Sequence, residues 1–247
     1  MNKDKAKMYL NRYKEISQNQ TDQLCNIEIN DFVTEIKSEN YDINKLFVDS
    51  ICAFLENELM IGCWNQINQT VFNEIVMPVF ITEYKKDNAK YIKWIGQCRE
   101  FILKSNKEEF FDLIDAPEIF KADTFKYCEY FLIKSFMLDK NQHSLDILMN
   151  YEVMDILIYR LELPNWSALG NYEKYLEVLK PFAEKLERFK EYCRISGNDK
   201  WNKLLAIWES LVTHMYKYEK EIRHNSSIGL NDYLNEKDIT SDLLKYY

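Results

Sequence analysis

Three histidines, His143, His214 and His224, are the side chains of this 247-residue chain best suited to moving protons near neutral pH. Glu221-Ile222-Arg223-His224 has the Glu-x-x-His spacing that puts both side chains on one helix face, the half-site of di-iron carboxylate proteins. That chemistry needs a second half-site and two further inward glutamates, and neither His143 nor His214 has a glutamate three residues before it. The sequence holds no HExxH zinc helix, no GxxxxGKS/T phosphate loop and no GxSxG nucleophile elbow. Its six cysteines, at 25, 52, 63, 98, 128 and 193, form no CxxC and no zinc-ligand spacing with a histidine. No catalytic, cofactor-binding or metal-binding residue is therefore expected. A carboxylate or metal enzyme inside a helical bundle is the alternative, and a peptide- or nucleotide-responsive helical-repeat regulator is another.

Recognition chemistry leaves a clearer trace. Glu108, Glu109, Asp112, Asp115 and Glu118 follow one another without an intervening Lys or Arg. Glu108, Asp112 and Asp115 stand at i, i+4 and i+7, one face of a helix, with Phe110, Leu113 and Ile114 opposite. Such a stripe could dock a basic partner. Trp166, after Pro164, is the candidate aromatic anchor, because a Trp seated in a pocket dominates binding energy. The candidate partner-binding residues are thus Glu108, Asp112, Asp115, Glu118 and Trp166.

The elements that must carry these residues are helices. The chain has only 5 Gly and 4 Pro, where average usage is roughly 7% and 5%. A sandwich or barrel needs more tight turns than that, and a Rossmann or P-loop protein needs glycines at a phosphate. Amphipathic spacing predicts helices over 3–18, 30–39, 42–58 (Asp42 as N-cap), 61–84 (kinked or broken near 74–77 by Pro78), 89–104 and 107–115. The most apolar segments, 119–138 and 141–161, are expected at the centre of the helical array, joined as a hairpin. Tyr172, Tyr175, Leu179, Phe182, Leu186, Phe189 and Cys193 repeat at 3 and 4 residues, and Trp201, Leu204, Trp208, Leu211, Met215, Tyr218 and Ile222 do the same. A turn at Ser196-Gly197-Asn198-Asp199 separates them, so two antiparallel helices pack along one seam, with Asp199 capping the second and Pro181 bending the first or marking a junction of two helices. Short amphipathic pieces follow at 231–236 and 240–246.

The fold class read from this is all-α, an α-solenoid-like array of antiparallel helical hairpins without a β-sheet. It forms a single domain over 1–247, with sub-units at 1–118 and 119–247. The net charge of −8 disfavours nucleic-acid and anionic-membrane surfaces and suits a basic protein partner. The N-terminus lacks an apolar signal core, and the segment Leu59 to Thr82 is too polar to span a bilayer, so a reduced, cytoplasmic protein is expected.

Leu138-Asp139-Lys140-Asn141, followed by Leu145, resembles the inter-repeat junction of tetratricopeptide proteins, with Lys140 where that family has proline. The resemblance covers about thirty residues, and the strict repeat of about 34 residues is absent. The helical plan, the size and the Lys/Asn/Tyr/Ile-rich composition are also similar to the helical immunity proteins that bacteria make beside polymorphic toxins. Leu138–Asn141, Leu161–Gly170 and the paired helices 172–222 carry that likeness. It implies one half of a toxin–antitoxin pair: a cognate toxin neutralised by direct binding, its basic active-site cleft met by acidic residues.

Overall fold

A computed structural model describes residues 2–18, 23–58, 67–105, 108–113, 118–119, 124–153, 172–197, 199–222 and 228–237. Among them there is no strand, and the fold is all-α. None of their helices is long and apolar enough to cross a membrane. The chain forms two compact units, Met1–Leu148 and Met149–Tyr247.

The first unit opens with α1 (Asn2–Gln18), α2 (Gln23–Lys37) and α3 (Tyr41–Glu58). Ala6, Tyr9, Tyr13 and Ile16 of α1 are buried, one apolar stripe at spacings of 3 and 4, and α1 packs on both α2 and α3. On α2 the buried stripe is Ile29, Phe32, Val33 and Ile36. The rings of Tyr13, Phe32 and Phe47 meet at the three-helix junction, with centroids 5.7–6.2 Å apart. Asn40, not Asp42, caps α3: its Oδ1 accepts the Ile43 amide at 3.1 Å. Asp42 sits in the first turn, where its charge still suits the positive helix end.

Pro78 has the effect its ring geometry requires. α4 (Gln69–Val71) passes into a π-helical turn, Phe72–Val76, before α5 (Met77–Tyr84). The Met77 amide reaches back five residues to the Phe72 carbonyl. This wider turn makes room where the proline ring would meet the carbonyl of Glu74. A turn with Asp87 at φ 51° then leads to α6 (Ala89–Gln97), α7 (Arg99–Ser105), α8 (Glu108–Phe111) and α9 (Thr124–Asp139). Residues 142–153 are helical too (α10) and hold the boundary between the units.

The helix buried on nearly all sides is α6, where only Lys90 is exposed, rather than the more apolar α9. Gly96 explains how closely α9 approaches it. A Cβ at Gly96 would lie 2.9 Å from the Cβ of Phe131. Two hydrogen bonds from α9 to α6 carbonyls fix the pairing, Tyr127 hydroxyl to Ile95 at 3.1 Å and Ser135 hydroxyl to Ala89 at 2.8 Å.

The second unit centres on α11 (Tyr172–Ser196) and α12 (Asn202–Lys217). Leu179, Leu186, Phe189 and Cys193 of one, and Leu204, Trp208, Leu211 and Met215 of the other, are buried as their spacing predicts. The side chains of Tyr172, Tyr175 and Phe182 lie outside the described residues, as does 240–246. α11 continues through Pro181 without a break. Gly197, at φ 62°, supplies the left-handed turn that ends α11. Asp199 opens a 3-10 turn, Asp199–Trp201, and its carboxylate accepts the Asn202 side-chain amide at 2.6 Å instead of a helix N–H. α12 ends in a second π-turn, Tyr218–Ile222, and α13 (Leu230–Glu236) packs on α12.

Candidate functional site

The densest polar chemistry lies on the α3 stripe Tyr41, Lys45, Asp49 and Glu56. Glu83 is 1% exposed and accepts four hydrogen bonds, from Tyr41 hydroxyl, Lys45 Nζ, Lys86 Nζ and Asn88 Nδ2, at 2.7–2.8 Å. Burial opposes its charge, but Lys45, Lys86, Tyr41 and Asn88 outweigh that and hold the carboxyl at about 2. One turn on, Asp49 accepts the Tyr91 hydroxyl at 2.6 Å and Lys90 at 2.9 Å. At the far end Glu56 takes Lys93 at 2.5 Å, His143 Nε2 at 3.1 Å and the Trp94 indole N–H at 3.2 Å. Burial again works against ionisation there, and His143, Lys93 and Trp94 together bring Glu56 to about 2.

Both Glu56 and Glu83 therefore stay ionised and tied to cations, which suits them to orienting helices and not to exchanging protons near neutrality. Tyr41 and Tyr91 are pushed the other way, chiefly by burial and then by the carboxylates they donate to, and remain neutral phenols. Cys52, Cys98 and Cys128 are buried thiols, and burial holds the first two protonated. In the second unit the fully buried Glu152 accepts Arg188 Nε at 2.9 Å. Among the described residues no three His, Cys, Asp or Glu side chains gather as a metal site. Glu221 is exposed on the π-turn, and His224 lies outside the described residues.

The residues expected to bind a partner are only partly in view. α8 ends at Phe111, so Asp112 sits exposed in the following turn, and Glu118 is exposed in a 3-10 turn. The Glu108 side chain, Asp115 and Trp166 lie outside the described residues.

A concave acidic surface occurs instead between α1 and α2. A groove of 340 Å³ is lined by Arg12, Glu15 and Ile16 of α1 and by Glu28 and Asp31 of α2. α1 is rich in cations and α2 in acids, and Arg12 with Glu35 joins them, while Lys5 pairs with Glu39 in the turn after α2 at 2.5 Å. Arg12 is thereby engaged. Glu15, Glu28 and Asp31 make no ion pair among the described residues, and all three are exposed. The apolar side chain in the groove is Ile16, 7% exposed, and two large apolar residues stand out from the same helices, Met8 at 49% and Ile27 at 59%. The sequence does carry a signal for this surface. Between positions 22 and 42 six acids, Asp22, Glu28, Asp31, Glu35, Glu39 and Asp42, face a single cation, Lys37.

Comparison with protein-family models, with curated proteins and with solved structures finds no match to this chain.

Proposed function

We propose that the chain is a non-enzymatic protein-binding helical scaffold whose α1–α2 groove receives a basic segment of another protein. The observation that carries this is the groove itself: three uncompensated carboxylates, Glu15, Glu28 and Asp31, around the apolar Ile16. Charge of one sign in a concavity raises the local concentration of an oppositely charged partner, and the apolar contact then slows its departure. Asp112 and Glu118 are exposed acids as well. In this proposal the packed helix pairs are units of an antiparallel hairpin array of solenoid-like plan, which presents such grooves between neighbouring helices. In its narrower form the scaffold is a cytoplasmic immunity protein, and the basic segment belongs to a toxin domain that it neutralises by direct binding.

The test is binding of a labelled amphipathic helix peptide with lysines on one face and leucines on the other. Its counterpart with glutamate for every lysine serves as the control. The lysine peptide is expected to bind and the glutamate peptide not. Glu28→Lys with Asp31→Lys should abolish binding while leaving the melting temperature within about a degree or two, as exposed substitutions do. Equal binding by wild type and the double variant would place the interface elsewhere.

A further inference from the structure

α13 is held on α12 by few contacts, and one of them titrates. Its buried side chains, Leu230, Tyr233 and Leu234, stand at i, i+3 and i+4, the anchor pattern by which an amphipathic helix seats in a groove. A helix of 7 residues does not persist alone in water, so the helicity of α13 and its docking are one event. The Tyr233 ring lies 5.6 Å from Tyr218 and 5.8 Å from His214. Its hydroxyl is 2.9 Å from His214 Nδ1, and the Tyr218 hydroxyl donates to the Ile228 carbonyl at 3.0 Å.

The charges around His214 favour its neutral form. Burial comes first, then Lys217 on its own helix and Lys237 just beyond α13, and together they hold the imidazole below its usual range. The Tyr233 hydroxyl can donate to a bare ring nitrogen or accept from an N–H, so it serves both ring forms and offsets little of this. Between α11 and α12 Lys190 pairs with Glu209, 3.0 Å apart, and Glu209 is five residues from His214, about 7.5 Å along the axis. The following π-turn carries Glu219, which is buried, and Glu221, which is exposed, and neither contributes to the lowering.

We propose that α13 is a pH-sensitive strap, docked on α12 while His214 is neutral and released when His214 takes up a proton at the α12–α13 contact. The docked helix buries His214 and brings Lys237 to it; undocked, the imidazole returns toward its ordinary range. Docking is thus at full strength above that range and weakens as pH falls through it. The face set free includes Tyr218.

Amide exchange on the full chain at about pH 7.5 and about pH 5.5, after correction for intrinsic rates, tests this. The α13 amides are expected to open about two- to tenfold more in acid, because the undocked state takes up the proton more readily. H214Q keeps a hydrogen-bonding side chain but cannot be protonated, and its α13 amides should open equally at both pH values. Tyr233→Ala should strip protection from α13 at both pH values while α12 keeps its own. Two results would overturn the proposal. One is α13 and α12 exchanging at a common rate in every variant; the other is the same acid response in wild type and H214Q.

Discussion

Between α3 and the residues from Glu83 to Trp94, three acids and four lysines interlock, with Glu83 1% exposed and Glu56 gripped by Lys93, Trp94 and His143. Between α11 and α12 the join is made of rings and branched side chains, with Phe189 centred 4.8 Å from Trp208 and 6.0 Å from Trp201. The polar seam buries Glu83 and Lys93 but leaves Lys86 and Lys90 exposed, and the two seams respond to different variables. The apolar seam follows the area withdrawn from water, and the Lys190–Glu209 pair that also crosses it is partly exposed and adds little. The polar seam depends on every donor keeping its acceptor, because a buried charge left alone costs several kcal/mol. It also specifies register, since sliding α6 along α3 by one turn would set Lys90 against Lys45 in place of Asp49.

Acid should separate the two seams most strongly. Glu56 and Glu83 are held at about 2 against an ordinary value of 4.5, so the folded form binds fewer protons than the unfolded one. Their contribution is complete above the ordinary carboxylate range and is lost as pH falls from about 5 toward 2. Amide exchange should therefore show α3 and α6 opening in this window well before α11 and α12. Equal loss in both would mean that the polar seam carries no such load.

Trp208→Ala attacks the other side, removing a ring that is 1% exposed. It should cost about 3–5 kcal/mol by urea titration, since surrounding helices collapse only partly into the space. A loss below about 1 kcal/mol would contradict the seam. Glu83→Gln comes next, at about 2–3 kcal/mol, since the neutral amide leaves Lys45 and Lys86 without their anion. Its distinguishing sign is a flatter acid response in α3 and α6 at unchanged behaviour of α11 and α12. Smallest is Asp112→Lys, on an exposed turn, expected to stay within about 0.5 kcal/mol of wild type in the same titration.

The contrast also decides what could be read from the sequence. The alternation of 3 and 4 from Leu179 to Cys193 and from Leu204 to Met215 is a repeating local signal, and the burial follows it. Pro78 likewise announces its break, because a missing N–H and a ring clash act within one turn. The polar seam has no such signature. Asp49 and Tyr91 are 42 positions apart, as are Tyr41 and Glu83, and single charged residues look the same whether they face water or each other. In retrospect the clue is that Lys45, Asp49 and Glu56 share a stripe on α3, beside the apolar face of Ile43, Phe47 and Ile51. Gly96 gave no turn signal, since its purpose is the close approach of Phe131 from a distant helix. The acidic stripe expected at Glu108–Asp115 assumes a longer helix than α8, which ends at Phe111. The groove acids Glu15, Glu28 and Asp31 come from two helices, and only their packing places them together.

Binding of the lysine–leucine peptide, followed by calorimetry at low and at high salt, tests the central claim most directly. The groove account predicts an affinity that falls steeply as salt screens Glu15, Glu28 and Asp31, and that vanishes at both ionic strengths when Glu28 and Asp31 are reversed to lysine. An affinity untouched by the double reversal would contradict it.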